Sequence, residues 1–416
     1  MKKNYTIVLL ILITFFVISF LTNILGALNP SVSNSFNLSE GMAGFLPFTF
    51  FIAYGVMSIP SGFLVEKYGE KKLMLLAFLL AFIAPVLFIS FPSFGMYLFT
   101  LFTIGSGMAI LQVVINPLLR VTGGEENYAF TSVLGQLVFG AASFVSPQVY
   151  SWLVTNINGT KNSNWFIEII SKYIPINMSW TSIYWIFAII SLLMIFILLT
   201  IAFPKVELKQ DEKVGTKKNY INLFKNKLVV LYFFGIFAYV GAEQGISYWM
   251  SKFLNVYHNF DYETIGANAI GNFWGLMTVG GVFGLILLKI MDSKIVLKIF
   301  TSLSIVCFGF AVLSSNANVS LYAFQLCGLF LSVMYPIIMS LALNSVSEYH
   351  GAFTGILMTG IVGGAVVQLF IGFLSDFTSL KTGMLFVFIT LVYILSIGFW
   401  AKPIVKNKII NLKQNK

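Results

Sequence analysis

Twelve apolar stretches, each close to the length of a bilayer crossing, constrain this chain more than any other feature. They fall at roughly 5–28, 42–64, 73–92, 96–119, 128–156, 181–203, 228–251, 265–290, 295–314, 317–344, 352–375 and 382–403. A helix rises about 1.5 Å per residue, so about 20 apolar residues cross a hydrocarbon core of ~30 Å. Hydrocarbon supplies no hydrogen bonds, so stretches of this length must satisfy their backbone internally, as helices. Composition agrees: the 416 residues are 58% hydrophobic, only 10% are charged, and mean hydropathy is +0.89. A soluble domain carries about 25% charged residues. The sequence therefore predicts an all-α membrane protein with 12 transmembrane helices. The first stretch is too long for a signal peptide's apolar region, and no small-residue cleavage pattern closes it, so it is expected to remain as span 1.

Net charge is +10, but its distribution argues against nucleic acid as a partner. Lys and Arg follow the positive-inside rule. With the N-terminus inside, 21 fall in cytoplasmic positions and 4 (Lys161, Lys172, Lys252 and Lys381) on the opposite side. Both termini are then cytoplasmic, and the basic face has affinity for anionic lipid headgroups of the bilayer. Cys307 and Cys327 both lie inside apolar stretches without metal-ligand spacing, and His258 and His350 read as loop residues. No metal, cofactor or catalytic residue is expected. Walker A, dinucleotide-binding, H-E-x-x-H and G-x-S-x-G signatures are missing, so the chain does not read as an enzyme.

The lysine-rich connection between spans 6 and 7 divides the chain into an N-terminal six-helix half (1–203), a cytoplasmic linker (204–227) and a C-terminal six-helix half (228–416). The halves look duplicated. Gly135 and Gly140 match Gly355 and Gly360, Pro117 matches Pro336, and Gly62 matches Gly284, at separations of 219 to 222. A parallel repeat about an axis along the membrane normal places a binding site near the midplane. The same separation sets Asn23 of span 1 opposite Glu243 of span 7.

Glu243 is the one acid deep in a span, within YVGAEQGISYW (Tyr239–Trp249). An acid there costs roughly 2.5–3.5 kcal/mol on insertion scales, so it is either used or paired. In span 4, GSGMAILQVVINPLLR (Gly105–Arg120) sets Gln112 and Asn116 four residues apart on one face, next to Pro117, which is expected to break the helical ladder. Amide side chains both donate and accept, which suits hydroxyl-rich ligands. Span 5 adds Gln136. Span 8 adds Asn272 and Trp274, whose ring fits the apolar face of a sugar. Each of these residues also has a bland reading as helix packing.

The turn GFLVEKYGEKK (Gly62–Lys72) resembles the signature loop of the major facilitator superfamily, with Glu66 in place of its aspartate and Lys67, Lys71 and Lys72 facing the cytosol. Three further stretches resemble the fucose–galactose–glucose:proton symporter family. They are LQVVINPLL (Leu111–Leu119), YVGAEQG (Tyr239–Gly245), and GLFLSVMYPIIMSLAL with GILMTGIVGGAVVQ (Gly328–Leu343 and Gly355–Gln368). The resemblance implies a major facilitator fold of two pseudo-symmetric six-helix halves, in a monomer of the bacterial inner membrane. It also implies alternating access, with a sugar and a proton as co-substrates. The chain departs from the family at several places. Gly26 stands where the fucose permease branch has an acid, four residues before the proline that ends span 1. Gln112 replaces a second acid, Phe139 a polar residue, Gly281 an arginine and Leu331 an asparagine.

The expected function is secondary active import of a hexose or sugar derivative. Asn23, Gln112, Asn116, Gln136 and Trp274 are expected to line the substrate cavity, and Glu243 to couple the proton or accept a ligand hydrogen bond. The alternatives are a drug or metabolite exporter of the same superfamily and a non-transporting membrane receptor. The exporters' proline-containing span 5 motif is not matched by GQLVFGAASFVSP, and the central connection holds no recognisable signalling domain.

Overall fold

The computed structural model describes residues 4–123, 128–159, 165–175, 177–203, 217–346 and 350–404. Among these, twelve helical spans are long and apolar enough to cross a membrane. Spans 1 to 6 are Tyr5–Phe36, Glu40–Tyr68, Glu70–Ser90, Phe94–Gly123, Thr131–Asn158 and Ser179–Thr200. Spans 7 to 12 are Lys227–His258, Tyr262–Ile290, Ser293–Leu313, Ala317–Leu343, Ala352–Phe377 and Leu380–Trp400. Local chemistry sets many of the ends. Asn4, Ser39, Asn226, Asp292 and Asn316 cap helix N-termini with side-chain oxygens. Gly69, at φ +84°, makes the tight turn between spans 2 and 3 that a side chain would strain.

Proline does not act uniformly. Pro117 lies inside a continuous span 4, and Pro30 lies inside the helix Leu25–Phe36 instead of ending span 1. A proline removes one backbone hydrogen bond, and close neighbours can hold the helix through it. Span 1 is interrupted at Asn23–Ile24 instead. Span 10 breaks at Ser332–Val333, where the ring of Pro336 meets the carbonyl four residues back. Span 11 tightens to a 3₁₀ turn at Gly360–Val362.

The chain forms two similar half-bundles. In the first, span 1 packs on spans 4 and 5, span 4 on spans 2 and 3, and span 3 on span 6. In the second, span 7 packs on spans 10 and 11, span 10 on spans 8 and 9, and span 9 on span 12. Span 2 meets span 11 and span 5 meets span 8 across the interface, pairs that exchange under a two-fold axis. Glycine makes the symmetry concrete. Gly105 of span 4 lies against the carbonyl of Phe50 in span 2, and Gly328 of span 10 lies against that of Phe273 in span 8. Both pairs are 223 residues apart in sequence. On this register Pro117 and Pro336 differ by about one helical turn, so the proline match is approximate.

Two short helices lie outside the spans. Trp165–Ser171 buries Ile167 and Ile170, as its amphipathic sequence implies. Lys217–Phe224 precedes span 7, and the rest of the linker, 204–216, lies outside the described residues, as does the Arg120 side chain.

A Cβ on residue 328 would run into the Phe273 backbone, whereas the space beside Gly281 is empty. Gly328→Ala is expected to cost about 1–3 kcal/mol by overpacking, and Gly281→Ala to be neutral. Thermal unfolding of the two purified variants in detergent measures the difference.

Candidate functional site

Glu243 occupies the middle of span 7. Counting residues, it is roughly 24 Å from one end of the helix and 22 Å from the other. Tyr239, one turn away, donates its hydroxyl to Glu243 Oε1 at 2.7 Å. The Tyr335 ring lies 5.6 Å from that of Tyr239, and its hydroxyl points at Met358 Sδ, 3.5 Å away. Tyr335 follows the break in span 10. The 3₁₀ turn of span 11 packs against span 7 at Phe233 and Ile236, just before Tyr239. The acid thus stands near two interrupted helices. Interrupted backbone at membrane depth is tolerated where protein buries it or where it lines a cavity.

The amides expected to bind a ligand fall into two groups. Gln112, Asn116 and Gln136 keep solvent-accessible surface within their spans, and Gln136 is exposed. Asn116 Nδ2 donates to the Gln112 carbonyl at 3.3 Å, so these two share a face as their spacing implies. Asn23 is buried, and its Nδ2 donates to Ser143 Oγ at 2.8 Å and Ser19 Oγ at 3.4 Å. It ties span 1 to span 5. Trp274 is also buried, and its indole N–H has no partner. Asn272 Nδ2 donates to Gln325 Oε1 at 3.4 Å, within the second half. None of these amides hydrogen-bonds to Glu243.

Sequence reasoning missed three residues. Tyr239 and Tyr335 flank the acid, and Tyr239 could have been found from its i, i+4 spacing to Glu243. Gln368 of span 11 is fully buried, with both amide atoms unpartnered, beside Gly245 of span 7. No local pattern marks it, because its isolation arises from packing between three spans.

At the end of the bundle away from residues 4 and 404, the halves are bonded together. Lys252 Nζ lies 2.7 Å from Glu40 Oε2. Asp376 Oδ2 accepts from Ser39 Oγ at 2.8 Å and from Gly41 N at 2.9 Å, at the positive N-terminus of span 2. Tyr248 donates its hydroxyl to the Ala43 carbonyl at 2.6 Å, and Asn29 Nδ2 donates to the Tyr248 carbonyl at 3.3 Å. Gly26 lies against the Ser247 carbonyl, so any side chain there, an acid included, would separate spans 1 and 7. Span 7 continues past Lys252 to His258, and the Lys252 charge is paired with Glu40.

A family model described as the Major Facilitator Superfamily matches residues 10–362. The chain belongs to the Major Facilitator Superfamily. It is 28% identical over 403 residues to the glucose/galactose transporter of Brucella abortus, covering 95% of this chain and 94% of that one. Among solved structures, the Escherichia coli fucose:proton symporter superposes with a TM-score of 0.66 at 20% identity, covering 95% of this chain and 98% of that one. A bacterial homologue of the human lysosomal transporter Spinster, inward-facing and unoccupied, superposes at 0.74 with 14% identity, covering 96% and 98%. These structural likenesses establish the major facilitator fold.

In this superfamily member the Glu40–Lys252 pair joins the halves directly, which makes it testable. Lys252→Gln is expected to loosen the bonded end and speed thiol labelling of a cysteine placed at Ser33, which is buried there. Exchanging the two charges, Glu40→Lys with Lys252→Glu, should return labelling towards the original rate. Unchanged labelling in the single variant would show that the pair does not hold this end shut.

Proposed function

We propose that this chain imports a hexose or sugar derivative across a bacterial inner membrane, driven by protons, by alternating access. The observation that carries the reading is Glu243, an acid at mid-membrane depth, hydrogen-bonded to a tyrosine beside two interrupted helices. Uptake of a proton there would discharge the carboxylate and change its bonding to Tyr239. The names of the similar proteins, a glucose/galactose transporter and a fucose:proton symporter, support both the sugar and the proton.

In this reading both termini are cytoplasmic and the bonded end faces the periplasm, so the described conformation is closed to the outside. The halves, 1–203 and 228–416, rock about the paired spans 2 with 11 and 5 with 8, with 204–227 as a cytoplasmic linker. Gln112, Asn116 and Gln136 meet substrate hydroxyls. Trp274 offers its free indole N–H and its ring. Asn23 contributes from the interruption of span 1, once its bond to Ser143 rearranges. The carrier works as a monomer.

Two measurements test this. Glu243→Gln keeps shape and hydrogen bonding but cannot titrate. In vesicles it should retain exchange of labelled sugar and lose accumulation driven by a pH gradient, and accumulation by the variant would remove Glu243 from coupling. Separately, Asn116→Ala should weaken sugar binding by about 1–3 kcal/mol, the cost of leaving a buried partner unpaired. Calorimetry on purified protein reads it, and unchanged affinity in Gln112, Asn116 and Gln136 alanine variants alike would move the site elsewhere.

A further inference from the structure

Spans 9 and 12 leave a cavity of about 500 Å³ at the end of the bundle that carries residues 4 and 404. Lys294, Lys298 and Lys402 line it, with Asp292 as the acid among its lining residues. The aspartate is engaged locally: its Oδ1 accepts from the backbone N–H of Lys294 at 2.8 Å and caps span 9. None of the three ammonium groups forms an ion pair or hydrogen bond among the described residues. The Lys298 stem lies against Gly398, and its Nζ sits 5.1 Å from the Phe399 ring centre.

The symmetry-related place in the first half is built differently. Lys71, 223 residues before Lys294, begins span 3 as Lys294 begins span 9. Its Nζ donates to the Ile201 carbonyl at 2.7 Å and the Leu199 carbonyl at 3.3 Å, sealing spans 3 and 6 together. So Lys71 is spent on helix-end carbonyls and does not simply face the solvent. In the second half the equivalent lysine leaves that task undone, and two more lysines join it around open space. Three lysines lining one cavity, none of them ion-paired among the described residues, call for an anion with several acceptor oxygens. Next to the cavity, Phe399 is 67% exposed and Ile295 and Ile299 are 43% exposed, an apolar surface alongside the lysines.

We propose that the groove between spans 9 and 12 is a binding site for the phosphate of an anionic phospholipid headgroup. Lys294, Lys298 and Lys402 hold the phosphodiester, and the acyl chains run along Phe399, Ile295 and Ile299. The chemistry recognised is a phosphate anion, and the apolar flank is what favours a lipid over free phosphate. The site lies on the outer flank of the bundle, away from Glu243, and does not depend on which substrate the carrier moves.

Delipidated full-length protein in detergent is titrated with phosphatidylglycerol, phosphatidylcholine or inorganic phosphate, with bound lipid read by native mass spectrometry. Phosphatidylglycerol should be retained in preference to phosphatidylcholine, and excess phosphate should not displace it. Lys294→Gln, Lys298→Gln and Lys402→Gln together should weaken that retention, by about fivefold for each lysine lost. The arginine versions should keep it, and Lys71→Gln should leave it unchanged. Undiminished retention by the triple glutamine variant would overturn the site. Equal loss with Lys71→Gln would reduce it to a diffuse basic face, and displacement by phosphate would make it a free-anion site.

Discussion

Hydrocarbon offers no hydrogen bonds, and the structure of this carrier follows from that. Every span is helical because only a helix bonds its own backbone over a bilayer's thickness. Polar groups inside the bundle must be paired, spent on helix contacts, or left for something that arrives. Most are spent: Ser19, Ser143 and Asn23 bond to one another between spans 1 and 5, and Tyr184 bonds to Tyr97. Glu243 accepts from the Tyr239 hydroxyl at 2.7 Å. Gln368 and the indoles of Trp185, Trp249 and Trp274 have no partner among the described residues. An unmade hydrogen bond in such a place costs about 1–3 kcal/mol, so these groups are where a ligand, a proton or a rearrangement has most to gain.

The two halves are related by a two-fold axis. Within each half, glycines let backbones touch, as at Gly105 and Gly328, and such contacts have no slack. Between the halves, at the end away from the termini, glycine contacts of the same kind, Gly26 against Ser247 and Gly372 against Glu40, are joined by polar bonds: Glu40 with Lys252, Asp376 with the start of span 2, and Tyr248 with Ala43. Symmetry is also broken locally, because Lys71 closes one helix pair and Lys294 leaves its counterpart open.

Much of this was legible in the sequence. The run lengths of apolar residues located every span to within a few residues except at the ends of spans 1 and 7. Span 1 runs on past Pro30 within the helix Leu25–Phe36, and span 7 runs past Lys252, whose charge pairs with Glu40. The acid at 243 stood out because a lone charge in a long apolar run is conspicuous. Gln368 did not, since an amide beside glycines looks ordinary until three helices close over it.

The sequence by itself determined the number of spans, their helical state, the duplication, and which acid is immersed, because each depends on the local match between side chains and hydrocarbon. Tertiary structure decided which polar groups are already spent and which are free. It showed that Pro117 bends no break into span 4 while Pro336 sits at one in span 10, that Gly26 is a contact with span 7, and that three lysines line one groove. These depend on which backbone lies across from which side chain, a distance set by packing between helices far apart in the chain.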